Sequence, residues 1–488
     1  MKLAALLKDI EVLEQTADPK LEITGVAYDS RRAGPGGLFV AISGFKTDGN
    51  RFIPMALEKG AAAVLTEKKP EVDVPYILVP NARRALARLG CNWYDHPAKK
   101  MKMVGVTGTN GKTSVTTLLK SVLERVTGEK VGLIGTIQNM IGMEAVPTER
   151  TTPESFELQG LLARMAEAGC GYCLMEVSSH ALALDRVAGI RYDVAAFTNL
   201  TEDHLDFHHT MENYCRTKAM LFGRCGKAVL NGDDPYYPQM RAAAKCPVLT
   251  VSMKDPEVGL FGQDLIYRPD SVSFTAQYGD AALPVQVGIP GTFTAYNALT
   301  VLGICLCLGL PGAEAASALR FAEGVKGRVE VVPTPGTDFT VLTDYAHTPD
   351  ALENVLRSVR GYCKGRLIAL FGCGGDRDPI KRPIMGKIAG DHADLVVVTS
   401  DNPRSEEPMA IIRDILPGLE GAKTPVKVIC DRREAIAWAL DHCEKDDILV
   451  LAGKGHETYQ EIGGVKRHLD EREEVARWLQ NRKGIQER

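Results

Sequence analysis

VGVTGTNGKTS, residues Val104 to Ser114, decides how the rest of the chain is read. A strand-like apolar run enters a glycine-rich turn. The segment after it, SVTTLLKSVLERV, has helical spacing. A strand, a glycine loop and a helix start together aim backbone N–H groups at one point, which makes an anion cradle. Lys112 is placed to reach β- and γ-phosphates, and the Thr113 hydroxyl to ligate Mg²⁺. The spacing departs from GxxxxGK[ST], because Gly105 lies one residue too early. The working unit is Gly108-Thr109-Asn110-Gly111-Lys112-Thr113. A lysine and a hydroxyl both follow the second glycine, so a nucleoside triphosphate is the expected ligand.

Outward from this loop, apolar strands alternate with helical patterns: MVGVTG, VGLIGT, YCLMEVSS, VAAFTNL and KAVLNGDD. That alternation predicts βαβ units and a largely parallel sheet. The pattern weakens through 250–285, where SVSFTAQYGDAALPVQV reads as antiparallel β, and a helix is expected from Ala295 to Leu310. It restarts as RLIALFGCGG, LVVVTSDN, VKVICD and DILVLAGKGHE, which predict four more strands. Upstream, residues 1 to about 98 mix short β-like runs with glycine and proline turns, and HPAKKMK, His96–Lys102, reads as a linker. The expected fold is α/β in three domains: 1–98, 99–328 and 329–488.

The bulk numbers agree. A chain of 488 residues suits about three domains of roughly 100–200 residues. Its 45% hydrophobic and 25% charged content is that of globular proteins. A net charge of −4 argues against a nucleic-acid partner. The longest apolar runs, such as Ala298–Leu310, fall short of the ~20 residues of a membrane span. The N-terminus turns acidic too early for a secretory signal. The 12 cysteines are scattered, and the CxxC at Cys170–Cys173 has no second pair, so reduced core thiols in a cytoplasmic protein are expected.

In a parallel sheet, ligands bind at the carboxyl ends of strands. Glu176 and Ser178 sit at one such end, and His204 and Asp206 just past another. Glu176, His204 and the glycine loop are therefore placed to share a crevice and a divalent cation. Spacing leaves Asp203 and His208 open as alternatives. Lys218, in MENYCRTKAMLF, lies among apolar neighbours on a probable helix, and composition alone reads it as a lysine with a buried stem.

TGTNGKT, EVSSHAL, TNLTEDHLDFH, YCRTK, TAYNAL, GRVEVV, TDYAHTPDAL and DNPR occur in this order. With these motifs the chain resembles the Mur ligases of bacterial peptidoglycan synthesis over essentially its whole length. The resemblance implies a domain for the uridine nucleotide, a central P-loop ATPase and a C-terminal Rossmann-like domain for the incoming amino acid. It assigns ATP to Gly108, Thr109, Asn110, Gly111, Lys112, Thr113 and Ser114, with Asn297, Arg328 and Asp344 contacting it across the domain junction. It assigns Mg²⁺ to Thr113, Glu176 and His204. Lys218 would be carbamylated, using CO₂, and help position a second Mg²⁺. Ser30, Thr151, Thr152, Ser178 and Arg186 would hold the UDP-sugar peptide. Two positions depart from common patterns: Leu184 replaces a glutamine, and Arg150 an asparagine. A monomer is expected.

The C-terminal strands end in three polar loops: FGCGGDRD with Arg377, TSDNPR with Asp401, Asn402, Pro403 and Arg404, and LAGKGHE with Gly453 and Glu457. Two guanidiniums and a carboxylate at one sheet edge suit a zwitterion carrying an extra negative charge. Arginine forks would take a carboxylate and Glu457 an ammonium. Meso-diaminopimelate has both at its far end; lysine has only the ammonium. The resemblance implies a reaction that joins such an amine to UDP-N-acetylmuramoyl-L-alanyl-D-glutamate through an acyl phosphate, with His347 a candidate base. A lysine-adding ligase, a folylpolyglutamate-type synthase and a non-catalytic scaffold are the rival readings. DNPR, the N-terminal domain and the presence of Lys112, Glu176, His204 and Lys218 argue against them in turn.

Overall fold

The computed structural model describes residues 1–44, 47–148, 150–268, 270–322 and 324–486, with side chains as far as residue 482. The chain forms two compact units, Met1–Leu260 with Thr300–Pro311, and Phe261–Leu299 with Gly312–Arg488. Among the described residues, no helix is long and apolar enough to cross a membrane.

The first unit holds two sheets. In the smaller, the strands run in the order Glu14–Gln15, Tyr76–Leu78, Ala63–Thr66, Leu38–Val40, Val26–Ala27, parallel except for the first. The helix Ala82–Trp93 starts at Asn81, whose side chain accepts from Arg84 N. Its apolar positions Ala82, Ala85, Leu86 and Leu89 share one face and close a core with Leu38, Val40, Leu65 and Ile77.

In the larger sheet, six strands are parallel: Lys130–Ile134, Cys170–Glu176, Lys102–Thr107, Tyr192–Phe197, Cys225–Asn231 and Val248–Ser252, in that order. Asn139–Ile141 and Glu144–Val146 extend it antiparallel beyond Lys130–Ile134. The central strands are buried along nearly their whole length, which explains their continuous apolar composition. Lys102–Thr107 lies between Cys170–Glu176 and Tyr192–Phe197, so the chain builds outward from it in both directions. Such a switch point leaves a crevice at the strand ends, here beside Thr107, Glu176 and Phe197. HPAKKMK is not a plain linker: Pro97–Lys100 is a 3-10 turn, and Lys102 already opens a strand.

The second unit carries the antiparallel strands Leu260–Arg268, Ser271–Tyr278 and Ala281–Val287. The expected helix near 295–310 is Thr292–Leu308. A six-stranded sheet follows, in the order Glu330–Val332, Thr340–Asp344, Ile448–Ala452, Leu367–Phe371, Leu395–Val398, Val426–Val428. Only Glu330–Val332 is antiparallel. Four of these strands match the sequence reading. The other two, Glu330–Val332 and Thr340–Asp344, are short and straddle a Pro333–Gly336 turn, which masks their periodicity. Alternate residues of one strand enter opposite cores: Leu342, Ala369 and Val450 on one face, Val341, Ile368, Leu370 and Leu449 on the other.

One buried ion pair ties this sheet together. Arg432 and Glu471 side chains are both fully buried, and Arg432 Nε and Nη2 donate to Glu471 Oε1 at 2.9 and 2.7 Å. Arg432 Nη2 also reaches Ala452 O at 2.8 Å, while Thr343 Oγ1 donates to Glu471 Oε2 at 2.7 Å. Arg432→Met strands the glutamate carboxylate in the core. It will lower stability by about 3–5 kcal/mol, read as a fall in the denaturant midpoint.

Candidate functional site

The glycine loop leaves the strand at Thr107 with Gly108 at φ +151° and Gly111 at φ +85°. A Cβ at Gly108 would stand 1.9 Å from Thr198 Oγ1. The loop is fastened to the neighbouring strand end: Thr109 N donates to Asn199 O at 2.8 Å, Asn110 N to Asn199 Oδ1 at 2.9 Å, and Thr198 Oγ1 to Asn110 O at 2.6 Å. The helix Lys112–Thr127, which includes Ser114, begins directly after Gly111. The strand, glycine turn and helix start are thus all present as read.

Glu176 is the hub of the first unit. Its side chain is wholly buried at a strand end. Thr113 Oγ1 donates to Oε2 at 2.9 Å, and Thr136 donates to it twice, through N to Oε1 and Oγ1 to Oε2, each at 2.9 Å. Thr136 Oγ1 lies 3.0 Å from Thr151 Oγ1. Thr152 Oγ1 donates to Glu176 O at 2.8 Å and accepts from Ser178 N at 3.2 Å. Ser178 caps the helix Ser179–Ala183. Arg186 Nη1 donates to Thr152 O at 3.2 Å, and Nη2 pairs with Glu154 at 2.7 Å. Thr113, Thr151, Thr152, Ser178 and Arg186 therefore join one bonded network around a single carboxylate. Leu184 is the C-cap residue of the short helix, and Arg150 pairs with Glu154 at 3.2 Å. Ser30 lies in the smaller sheet's layer, buried, with Oγ 3.2 Å from Met55 Sδ.

Lys218 lies on the helix Met211–Ala219 and is 2% exposed. Its Nζ donates to Gly108 O at 2.8 Å, and Lys112 Nζ donates to the same carbonyl at 2.8 Å. Burial, and then the neighbouring Lys112 charge, hold the Lys218 amine well below the usual lysine range. The lysine therefore lies against the glycine loop, and the reading of an exposed head on a buried stem does not hold. His204 sits at φ +54° after the strand Tyr192–Phe197, with Nε2 3.4 Å from Asp203 Oδ2. His208 is buried, with Nε2 2.9 Å from Ser179 Oγ, and burial pushes its imidazole down to about 4. Among the described residues, no three His, Cys, Asp or Glu side chains gather as a cation cage. Thr113 and Glu176 do supply hard oxygens, the donor set Mg²⁺ takes when phosphates and water complete its shell.

In the second unit, Asn297 lies on the helix Thr292–Leu308. Asp344 is buried at its strand end and accepts from Val329 N and Ala346 N, each at 2.8 Å. Burial raises its carboxyl above the ordinary range. The Arg328 guanidinium lies 5.4 Å from the Tyr345 ring centre. His347 Nδ1 is 2.7 Å from Tyr345 O, a contact in which Nδ1 is the donor.

The three C-terminal loops meet. Arg404 Nη1 donates to Gly375 O at 2.7 Å. A Cβ at Gly374 would touch both Arg404 Nη1, at 2.9 Å, and Arg377 Cγ, at 3.8 Å. Asn402, which follows Asp401 and precedes Pro403, donates through Nδ2 to Glu457 Oε2 at 2.8 Å. A Cβ at Gly453 would lie 2.5 Å from Asp401 Oδ2, a buried oxygen without a partner. Arg377, Arg404, Asn402 and Glu457 thus border one region, as the parallel strand ends imply.

Sequence reasoning missed Thr136, Asn199 and Lys454. Thr136 ends the VGLIGT run and Asn199 is the last residue but one of the VAAFTNL run, so position just past a strand end was the available signal. Lys454, inside the quoted LAGKGHE, is fully buried beside Asn402 and Glu457. A lysine between two glycines ordinarily reads as solvated.

Three family models match the chain: the Mur ligase family catalytic domain over residues 22–94, the Mur ligase middle domain over 106–305, and the Mur ligase glutamate ligase domain over 327–455. A UDP-N-acetylmuramoyl-L-alanyl-D-glutamate–2,6-diaminopimelate ligase of Caldanaerobacter subterraneus subsp. tengcongensis is 48% identical, covering 98% of this chain and 99% of its own. The Clostridioides difficile protein of that name is 43% identical over 97% and 98% of the two chains. A solved structure with the same description matches at TM-score 0.77 and 31% identity, over 99% of both chains.

Proposed function

The chain belongs to the Mur ligase family, and from that premise we propose that it joins meso-diaminopimelate to UDP-N-acetylmuramoyl-L-alanyl-D-glutamate with cleavage of ATP. A carboxylate and an amine do not condense in water without activation. ATP phosphorylates the D-glutamyl γ-carboxylate, the amine attacks the acyl phosphate, and the tetrahedral intermediate expels phosphate. The protein's part is positioning and charge neutralisation.

The observation that carries this reading is the Glu176 network. One buried carboxylate bonds Thr113 of the phosphate loop directly and Thr151 through Thr136, while its backbone carbonyl bonds Thr152. A phosphoryl donor on the loop and an acceptor carboxylate held by the Thr-Thr pair would then lie side by side. Lys112 would neutralise the transferring phosphoryl group. Thr113, Glu176 and His204 would hold Mg²⁺, which supplies Lewis-acid stabilisation of phosphate charge when bound. We assign a carbamate to Lys218, ATP contacts to Asn297, Arg328 and Asp344, and UDP-substrate contacts to Ser30, Thr151, Thr152, Ser178 and Arg186. His347 Nε2 is the candidate acceptor for the amine's proton. Residues 1–98, 99–328 and 329–488 serve as the UDP-substrate, ATP and amino-acid modules of a cytoplasmic monomer.

The amine site rests on Arg377, the Asp401–Arg404 turn, Gly453 and Glu457. With ATP and the UDP-sugar dipeptide present, phosphate release will depend on added diaminopimelate. Lysine, glutamate and D-alanyl-D-alanine will each support only background release. Equal release with lysine would overturn the assignment of the amine.

A further inference from the structure

Lys454 is absent from the set of groups assigned to substrate, yet its contacts are dense. The side chain is fully buried. Its ammonium donates to Asn402 Oδ1 at 2.6 Å, Tyr459 O at 2.7 Å and Glu457 Oε2 at 3.3 Å. Three acceptors use all three ammonium protons, so the group is spent inside the protein. Asp401 Oδ1 stands 4.0 Å away. One cation therefore lies between two carboxylates and both loops that follow the Leu395–Val398 and Ile448–Ala452 strands. Asn402 completes the knot: its Nδ2 donates to Glu457 Oε2 at 2.8 Å, and its Oδ1 also accepts from Glu461 N at 2.9 Å. These bonds fall on Glu457 Oε2, and Oε1 carries none of them.

We propose that Lys454 is a positioning residue for the amine substrate: it locks Asn402 and fixes Glu457 so that Oε1 receives the ammonium at the far end of the incoming amino acid. This rests on reading the Asp401–Arg404 turn and Glu457 as the amine site. Without the buried cation, Asp401 and Glu457 become like charges in a low-dielectric pocket, and Asn402 Oδ1 keeps only the Glu461 N–H of its two donors. The defect is one of binding the amine, because the groups the ammonium holds, Asn402, Tyr459 and Glu457, all belong to the loops assigned to that substrate or adjoin them.

The test is steady-state kinetics on Lys454→Met and Lys454→Gln, with Lys454→Arg as the conservative variant. The KM for diaminopimelate will rise about 10–100-fold in the uncharged variants, the worth of a hydrogen bond to a charged group. The KM values for ATP and the UDP-sugar dipeptide will stay within about 2-fold. Lys454→Arg will recover part of the loss. An unchanged KM for diaminopimelate, an equal rise for all three substrates, or loss of folding in both uncharged variants with a wild-type KM in Lys454→Arg would each overturn the role. Arg404→Ala separates the two readings. If it leaves amine selectivity intact, the site itself is misassigned; if it relaxes selectivity while Lys454→Met changes nothing, only the positioning role fails.

Discussion

Lys218→Ala will lower turnover by about 10³-fold, and a small carboxylate such as formate or acetate will restore part of it. Two lysine ammoniums share the carbonyl of Gly108 within 2.8 Å in a buried setting. That arrangement disfavours charge on Lys218, and burial depresses it further. A neutral amine is the form that adds CO₂. The adduct, formed with loss of one proton, would carry a negative charge, so repulsion from Lys112 would become attraction beside the glycine loop. Alanine leaves a cavity of the lysine's length, into which a free carboxylate can bring the same charge. Undiminished turnover in Lys218→Ala would remove the carbamate from the mechanism. So would the absence of a carbamate carbon signal when the wild-type protein is equilibrated with ¹³CO₂.

Arg404→Ala will collapse the preference for diaminopimelate over lysine by about 10³-fold, measured as the ratio of kcat/KM values. The backbone around Arg404 is fixed. The residue sits at φ +52°, its N–H donates to Glu461 O at 2.9 Å and its carbonyl accepts from Gly463 N at 2.6 Å. One arm of the guanidinium is held by Gly375 O. The remaining donors are left to meet a carboxylate in a set direction. Lysine brings no carboxylate, so in the wild type it leaves the guanidinium unpaired and places two cations together. Alanine removes that penalty along with the attraction. The variant will bind diaminopimelate less tightly and accept lysine more readily. A wild-type ratio in Arg404→Ala would move the recognition of the far carboxylate elsewhere.

Much of this is legible in the amino-acid sequence. The parallel sheet of the first unit could be read because buried strands carry continuous apolar runs, and its loops because ligands gather at strand ends. That logic brought Glu176 and the glycine loop together and placed Arg404 at the C-terminal sheet edge. Residues whose role depends on long-range packing stayed hidden. Thr136 carries no signal of its own in the sequence, because the carboxylate that takes its bonds, Glu176, lies 40 residues later. Lys454 and Arg432 gave no signal because a buried cation and a solvated one have the same letter. Lys218 was readable only through family resemblance, since its helix spacing fits a snorkelling stem equally well. The strand Thr340–Asp344 was lost because proline and glycine interrupt the pattern just before it.

The clasp between Arg432 and Glu471 has a temporal side. Glu471 lies 128 residues after Thr343 and 39 after Arg432, and it engages both. During synthesis, the chain carrying the phosphate cradle is complete long before that glutamate leaves the ribosome. Domains made first fold first. A nascent chain can therefore own a finished glycine loop while the sheet that carries Thr343 and Ala452 still waits for its keystone, which the helix Glu471–Gln486 brings.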